Sequence, residues 1–199
     1  NLAICSFLGN DLESSKNHLT AAKKIIERTD PESKNDRTYW MYLSRILDWH
    51  KGNDPNVCDQ KSYRTLFVIG ESHSLAAHRL HVKEHESIFL CKSKLIKGCM
   101  QWHLANSERN IYKFQFERIF STIPKSSYVL LAIGEIDCRL DSGIIEHKKK
   151  FPEKEETEVI AKTIEKYLSY IIKLNLSYKH NIMILGVPCP NIDTASIPE

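Results

Sequence analysis

The sequence predicts a three-layer α/β/α domain with a parallel sheet, preceded by a short helical segment. Four short apolar runs are bounded by turn residues, which is typical of strands that are covered on both faces. Helical stretches separate these runs, and strands that alternate with helices favour a parallel sheet. Before Pro55, apolar residues recur only at helical spacing. We therefore expect a helical segment over residues 1–55 and an α/β domain over residues 56–199.

Composition agrees with a globular chain of this kind. The 199 residues are 42% apolar and 27% charged, with a formal net charge of +3. No lysine and arginine cluster is interleaved with aromatic residues, so nucleic acid is not expected as a partner. The basic run at 148–150 lies beside acidic residues and is expected to form a solvated loop. No apolar stretch approaches the length of a bilayer span, so no membrane partner is expected.

Two amphipathic stripes make up the N-terminal segment. The first contains Leu12, Leu19 and Ile25 and stops at Asp30-Pro31, and the second begins at Tyr39. These pieces loosely resemble tetratricopeptide repeats. The first copy would be formed by Leu8-Gly9, Leu12, Ala21, Ile25 and a closing Pro31, and Trp40-x-x-Leu43 restarts the pattern about one period later. A plain helical hairpin that packs on the next domain is the alternative. In either case the helices offer a surface to a protein partner.

The α/β part is expected to have strands over residues 64–70, 87–92, 128–134 and 181–187, and helices over residues 72–85, 111–123 and 156–178. Ligands of doubly wound sheets bind beyond the carboxyl ends of the strands. Two strand ends stand out there, Gly70-Glu71-Ser72-His73 and Gly134-Glu135-Ile136-Asp137. They mark the expected position of a site.

Ser72 is the candidate nucleophile at the first of these ends. A glycine that closes a buried strand allows a sharp turn, which presents a serine two residues later at the start of the next helix. Free backbone N–H groups and the helix dipole favour negative charge at that place. This arrangement suits acyl transfer. The alternative is that Ser72 is only the N-cap of the helix, a position where serine is favoured.

Three short blocks follow predicted strands in order: FVIGESHS from residue 67, KGCMQWHLAN from residue 97 and LLAIGEIDCR from residue 130. Together they resemble the SGNH (GDSL-type) hydrolase superfamily, in particular its branch with Gly-Asp/Glu-Ser-His and Gly-Glu-Ile-Asp-Cys-Arg blocks. The resemblance extends over roughly residues 63–191. It implies a flavodoxin-like α/β fold and serine-dependent ester hydrolysis or acyl transfer on a small-molecule or glycan acyl ester, such as O-acylated carbohydrate. It implies no cofactor.

The resemblance also implies roles for single residues. Ser72 matches the nucleophile, and the N–H groups of Ser72 and Gly98 match two donors of the oxyanion hole. The third donor of the superfamily is an asparagine side chain, and Ile136 stands in its place. Arg139 either replaces that donor or pairs with Asp137 or Asp141 as a structural clamp. The accessory residues of the site are then expected to be Glu71, His73, Asp137 and Arg139.

The superfamily's general base is a histidine in a late Asp-x-x-His block, and no such block follows Asp137 in this chain. His73 does not replace it easily, because neighbouring residues at a helix start point in different directions. We therefore expect the α/β domain to be incomplete at its C-terminal end and residues 1–199 to hydrolyse simple esters hardly above background. The rival hypothesis is a non-catalytic domain of the same fold that binds a glycan or protein ligand.

Metal binding is not expected. The six cysteines include no Cys-x-x-Cys pair, which argues against structural zinc and for a reducing, cytoplasmic compartment. His78, His81 and His85 fall on the predicted helix after Ser72, with the last two on one face, but zinc needs a further ligand and a shielded pocket. Trp102 either lines a sugar-binding cleft or packs in the core.

Overall fold

A computed structural model describes residues 1–26, 34–53, 63–139 and 142–187. Its helices are α1 (Leu2–Leu8), α2 (Leu12–Ile26), α3 (Lys34–Asn53), α4 (Ser74–Ala77), α5 (Gln101–Ala105), α6 (Ile111–Thr122), α7 (Gly143–Lys150) and α8 (Glu156–Asn175). A short 3₁₀ helix spans Ile136–Cys138. The strands are β1 (Arg64–Gly70), β2 (His81–Glu84), β3 (Ser87–Leu95), β4 (Tyr128–Ala132) and β5 (Asn181–Ile184).

The five strands form one mixed, mostly parallel sheet in the order β2-β3-β1-β4-β5. Strands β4 and β5 are parallel, with Leu131 opposite Ile184. Strands β2 and β3 are antiparallel, with Glu84 opposite Ser87 across a two-residue turn. The predicted α/β class is confirmed, and the prediction of a wholly parallel sheet is wrong at β2.

The predicted helix over residues 72–85 is also wrong. Only Ser74–Ala77 is helical, and Arg79 then adopts a left-handed φ of 66° and donates its N–H to the Cys91 carbonyl at 2.9 Å. The chain thereby joins the backbone of β3. Because every side chain of β2 is exposed, no apolar alternation marks this strand in the sequence. His81 lies in the strand and His85 in the turn, so they share no helix face.

The chain divides into two compact units, and the first contains Asn1–Val68 and His73–Leu95. Its helices α1, α2 and α3 surround a core in which Phe7, Leu43 and Leu75 are at most 1% exposed. The Trp40 indole N–H donates to the Leu19 carbonyl at 2.9 Å and ties α3 to α2. The predicted helical character of the segment is confirmed over the two described stretches. The predicted domain boundary at residue 55 falls outside the described residues.

The second unit contains Ile69–Ser72 and Ile96–Glu199. Its largest buried side chains include Ile69, Ile96, Phe116, Phe120 and Tyr167. The predicted helices and strands between residues 111 and 184 are present, with ends that differ by a few residues. The basic run at 148–150 finishes α7 and is not the loop that we predicted. Across the described residues, no helix combines the length and apolar character that crossing a bilayer requires.

Candidate functional site

Gly70 is the last residue of β1, and its backbone lies beside the carboxyl ends of β3 and β4. Its carbonyl accepts the Ile96 N–H at 2.8 Å, and the N–H of Glu71 donates to the Ala132 carbonyl at 3.3 Å. A Cβ at Gly70 would lie 2.3 Å from that Ala132 oxygen, so glycine alone fits. The segments that lead to Ser72, Gly98 and Asp137 therefore all begin at hydrogen-bonded strand ends.

Ser72 is half-buried and lies outside any helix. The N-cap residue of α4 is His73, so the hypothesis that Ser72 is a helix cap is wrong. The Ser72 hydroxyl instead donates to Oε2 of Glu71 at 2.8 Å. Glu71 is 2% exposed, so a buried carboxylate holds the serine hydroxyl in one orientation. His73 is exposed, and its ring centre lies 6.4 Å from that of Tyr42.

Two backbone N–H groups of the candidate site are left open. In the part of the chain that the structure describes, neither the Ser72 N–H nor the Gly98 N–H donates a hydrogen bond. Both residues are half-buried. Gly98 has a left-handed φ of 71°, a conformation that favours glycine. Ile136 supplies no side-chain donor.

Asp137 has a structural role that the sequence analysis did not assign to it. Its Oδ2 accepts the Gln101 N–H at 2.7 Å, and its Oδ1 accepts the Trp102 N–H at 3.0 Å. Both are first-turn amides of α5, which has no Ser, Thr, Asp or Asn at its N-cap. Burial raises the pKa of Asp137, and the two amide hydrogen bonds oppose that rise. Asp137 is thus the cap of α5.

Arg139 binds Glu135. Its Nε lies 2.9 Å from Oε2 of Glu135 and its Nη2 lies 2.7 Å from the same oxygen. The predicted clamp with Asp137 is therefore wrong, because both Asp137 oxygens face α5. The alternative partner Asp141 lies outside the described residues. With its donors on Glu135 and its side chain 45% exposed, Arg139 gives no support to the hypothesis that it replaces the missing oxyanion donor.

His103, the second histidine in the three sequence blocks, is held by other residues. Its Nδ1 accepts the Met100 N–H at 3.1 Å, and its ring stacks on Tyr112 with centres 3.8 Å apart. Burial lowers the pKa of His103, so the ring is neutral near pH 7. In the first unit, the Nδ1 of His78 accepts the Ser93 N–H in the same way. These two ring nitrogens therefore serve backbone amides.

Gln101 was not singled out in the sequence. Its side-chain amide donates to the Ile133 carbonyl at 2.9 Å. Gly134 favours this approach, because its φ of 142° suits glycine and a Cβ there would lie 2.8 Å from the Gln101 Nε2. Gly134 can be recognised in the sequence as the glycine that ends a predicted strand, but nothing in the sequence indicates that Gln101 lies beside it. Behind these residues, burial and the negative charges of Asp137 and Glu71 raise the pKa of the Cys99 thiol to about 12.

Comparisons with known proteins identify no relative. No family model matches the chain, and no curated protein or solved structure matches it at a significant level.

Proposed function

We propose that the protein is a serine-dependent ester hydrolase or acyltransferase of the SGNH type that acts on O-acylated carbohydrate. The supporting observation is a serine hydroxyl held by a buried carboxylate at the end of β1, with the N–H groups of Ser72 and Gly98 open. Acyl transfer needs such a hydroxyl and such donors. The proposal includes a three-layer α/β/α arrangement and a cytoplasmic location. The free thiols of Cys5, Cys91, Cys99 and Cys138 support a reducing compartment.

In this mechanism the Ser72 Oγ attacks the acyl carbon of an ester. The carbonyl oxygen becomes an oxyanion that accepts hydrogen bonds from the two open N–H groups. The Ser72 proton passes to Glu71 and from there to the alcohol part of the ester, which leaves. A water or an acceptor alcohol then attacks the acyl group, gives its proton to Glu71 and releases Ser72, whose oxygen takes that proton back. Glu71 is the group that already accepts the hydroxyl proton in a hydrogen bond, so it orients Oγ for attack.

We expect the reaction to be slow. The loss of one oxyanion donor, as with Ile136, lowers the rate by roughly a hundred- to a thousand-fold. A carboxylate beside Ser72 is also a weaker base than the histidine of a serine triad.

The test is the hydrolysis of p-nitrophenyl acetate and of an acetylated sugar by the wild-type chain, Ser72→Ala and Glu71→Gln. Ser121→Ala is the matched control, because Ser121 lies on α6 and donates only to the Arg118 carbonyl of its own helix. We expect a small rate that both site variants abolish and the control retains. A rate that survives Ser72→Ala would show that the nucleophile is another residue.

A second candidate function is a non-catalytic glycan-binding or protein-binding domain of the same fold. Two observations favour it: Ile136 stands where a donor is needed, and the side-chain partner of Ser72 is a carboxylate. Its first unit would then offer the helices α1–α3 to a protein partner. Binding of the acetylated sugar without turnover, unchanged in Ser72→Ala, is the result that distinguishes this function from the enzyme.

A further inference from the structure

A cleft of about 270 Å³ lies in the second unit, among α5, α7 and α8. Its floor contains Val159 and Thr163, which are one turn apart on α8 and are both buried. Trp102 and the loop that follows α5 form one wall. His147 of α7 and Lys154 form another. Because its volume lies just below the roughly 300–1,000 Å³ of pockets for drug-sized ligands, the cleft suits one compact molecule.

The lining of this cleft has an excess of positive charge. Lys154, Lys162 and Lys166 face a single carboxylate, Glu158, which is bonded to Lys162. Lys166 follows Lys162 by one turn of α8, and within the described residues no hydrogen bond or ion pair engages it. Like charges one turn apart on a helix destabilise it slightly. An anion in the cleft would remove that repulsion.

Aromatic rings border the same cleft. The Trp102 side chain remains 38% exposed, which is unusual for tryptophan. Its ring centre lies 4.9 Å from that of His147, and the His147 ring lies 4.8 Å from that of Phe151. The Lys154 Nζ lies 4.4 Å from the centre of the Phe151 ring and 3.5 Å from the His147 Nε2. The partly exposed indole of Trp102 thus lines the same cleft as three lysines.

We propose that this cleft binds a monosaccharide phosphate, with the phosphate on Lys154 and Lys166 and one face of the sugar ring against Trp102. Three lysines and one glutamate give the lining a formal charge of +2. This charge complements the roughly −1.5 to −2 of a phosphate monoester at pH 7. The exposed apolar face of Trp102 complements the C–H face of a pyranose. The site is separate from Ser72 and does not depend on the proposed ester chemistry.

The test is isothermal titration calorimetry at low salt and pH 7.5 with glucose 6-phosphate, glucose 1-phosphate, glucose 6-sulfate, glucose and inorganic phosphate. We expect at least one of the two sugar phosphates to bind about tenfold more tightly than glucose and inorganic phosphate. Affinity falls at higher salt, because exposed charges are screened. Glucose 6-sulfate has one charge fewer than the phosphate monoester and is expected to bind several-fold more weakly.

Variants locate the site. Lys166→Gln is expected to weaken binding about fivefold and Trp102→Ala about tenfold, while Trp102→Phe, which retains an aromatic face, recovers most of the affinity. Lys173→Gln makes the same charge change on α8 outside the cleft and is expected to leave binding within twofold. Ser72→Ala must also leave it unchanged.

Four results would overturn the proposal. The first is the absence of heat for both sugar phosphates up to about 10 mM. The second is equal binding of inorganic phosphate that does not depend on Trp102. The third is an equal loss of affinity in Lys173→Gln and Lys166→Gln. Loss of binding in a correctly folded Ser72→Ala would likewise place the site elsewhere.

Discussion

His78 is a buried neutral histidine whose titration should govern the acid stability of the first unit. It is 2% exposed, and its ring meets Phe7 edge-on with centres 4.9 Å apart. Its Nδ1 accepts the Ser93 N–H at 3.1 Å, which requires an unprotonated nitrogen. Burial, followed by the positive charges of Arg79 and His50, lowers the pKa of His78 from 6.5 to about 4.

The sign of the pH effect follows from this lowered pKa. Between pH 6.5 and pH 4 the unfolded chain binds a proton at His78 and the folded chain does not, so the free energy of unfolding falls as the pH falls. The stabilisation is complete above pH 6.5 and is lost progressively down to pH 4. Since one pH unit in this window is worth about 1.4 kcal/mol, the loss is at most about 3.5 kcal/mol.

The assay is urea unfolding of the wild-type chain and His78→Gln at several pH values from 7.5 to 4.5. Glutamine retains an acceptor for the Ser93 N–H but does not titrate. The two proteins differ only at His78, so the change of this difference with pH reports the titration of His78 together with its coupling to His50. We expect the wild type to lose about 2–3 kcal/mol more than the variant over this range. Parallel curves, with a difference that changes by less than about 0.5 kcal/mol, would refute the assignment of a buried neutral ring.

Three further predictions concern the second unit. Gly70→Ala is expected to destabilise the fold by about 3 kcal/mol or more in urea unfolding, because its Cβ would overlap the Ala132 carbonyl; a loss below about 1 kcal/mol would contradict that close approach. Asp137→Ala is expected to lower the free energy of unfolding by about 2–3 kcal/mol. Asp137→Asn is expected to lower it by less, since asparagine keeps one acceptor for the amides of α5. Equal losses in the two variants would argue against Asp137 as the cap of α5. In native protein at pH 8, iodoacetamide should modify the exposed Cys138 at least tenfold faster than Cys99, as measured by peptide mass spectrometry. The reason is that the Cys99 thiol is buried and its pKa is raised to about 12. Equal rates would contradict the burial of Cys99.

The helices and strands that could be predicted are those that show a clear apolar run or an apolar stripe in the sequence. Strand β1 was predicted over residues 64–70 and is found there, because an apolar run lies between Arg64 and the glycine that ends it. Helix α8 was predicted from its long apolar stripe, and only its last turn differs. Strand β2 was not predicted, because its pairing with β3 is made by the backbone and its side chains are all exposed.

The sequence predicts where in the chain the candidate site lies, but it does not predict which residues of the site contact each other. Gly70, Gly98 and Gly134 have backbone requirements that glycine alone meets easily, and these mark the strand ends in the sequence. The partners of Asp137 and Arg139 depend on which segments lie beside them in the fold. Asp137 faces α5 amides 35 and 36 residues away along the chain, and no local pattern indicates such a pair.

The central claim is that Ser72 is the nucleophile, and covalent labelling tests it most directly. The folded chain is treated with a fluorophosphonate, and the modified residue is located by peptide mass spectrometry, with a heat-unfolded sample as the control. We expect a single adduct on Ser72 that forms slowly in the folded chain, is absent from the unfolded one and is lost in Glu71→Gln. An adduct on another serine, or equal labelling of the folded and unfolded chains, would contradict it.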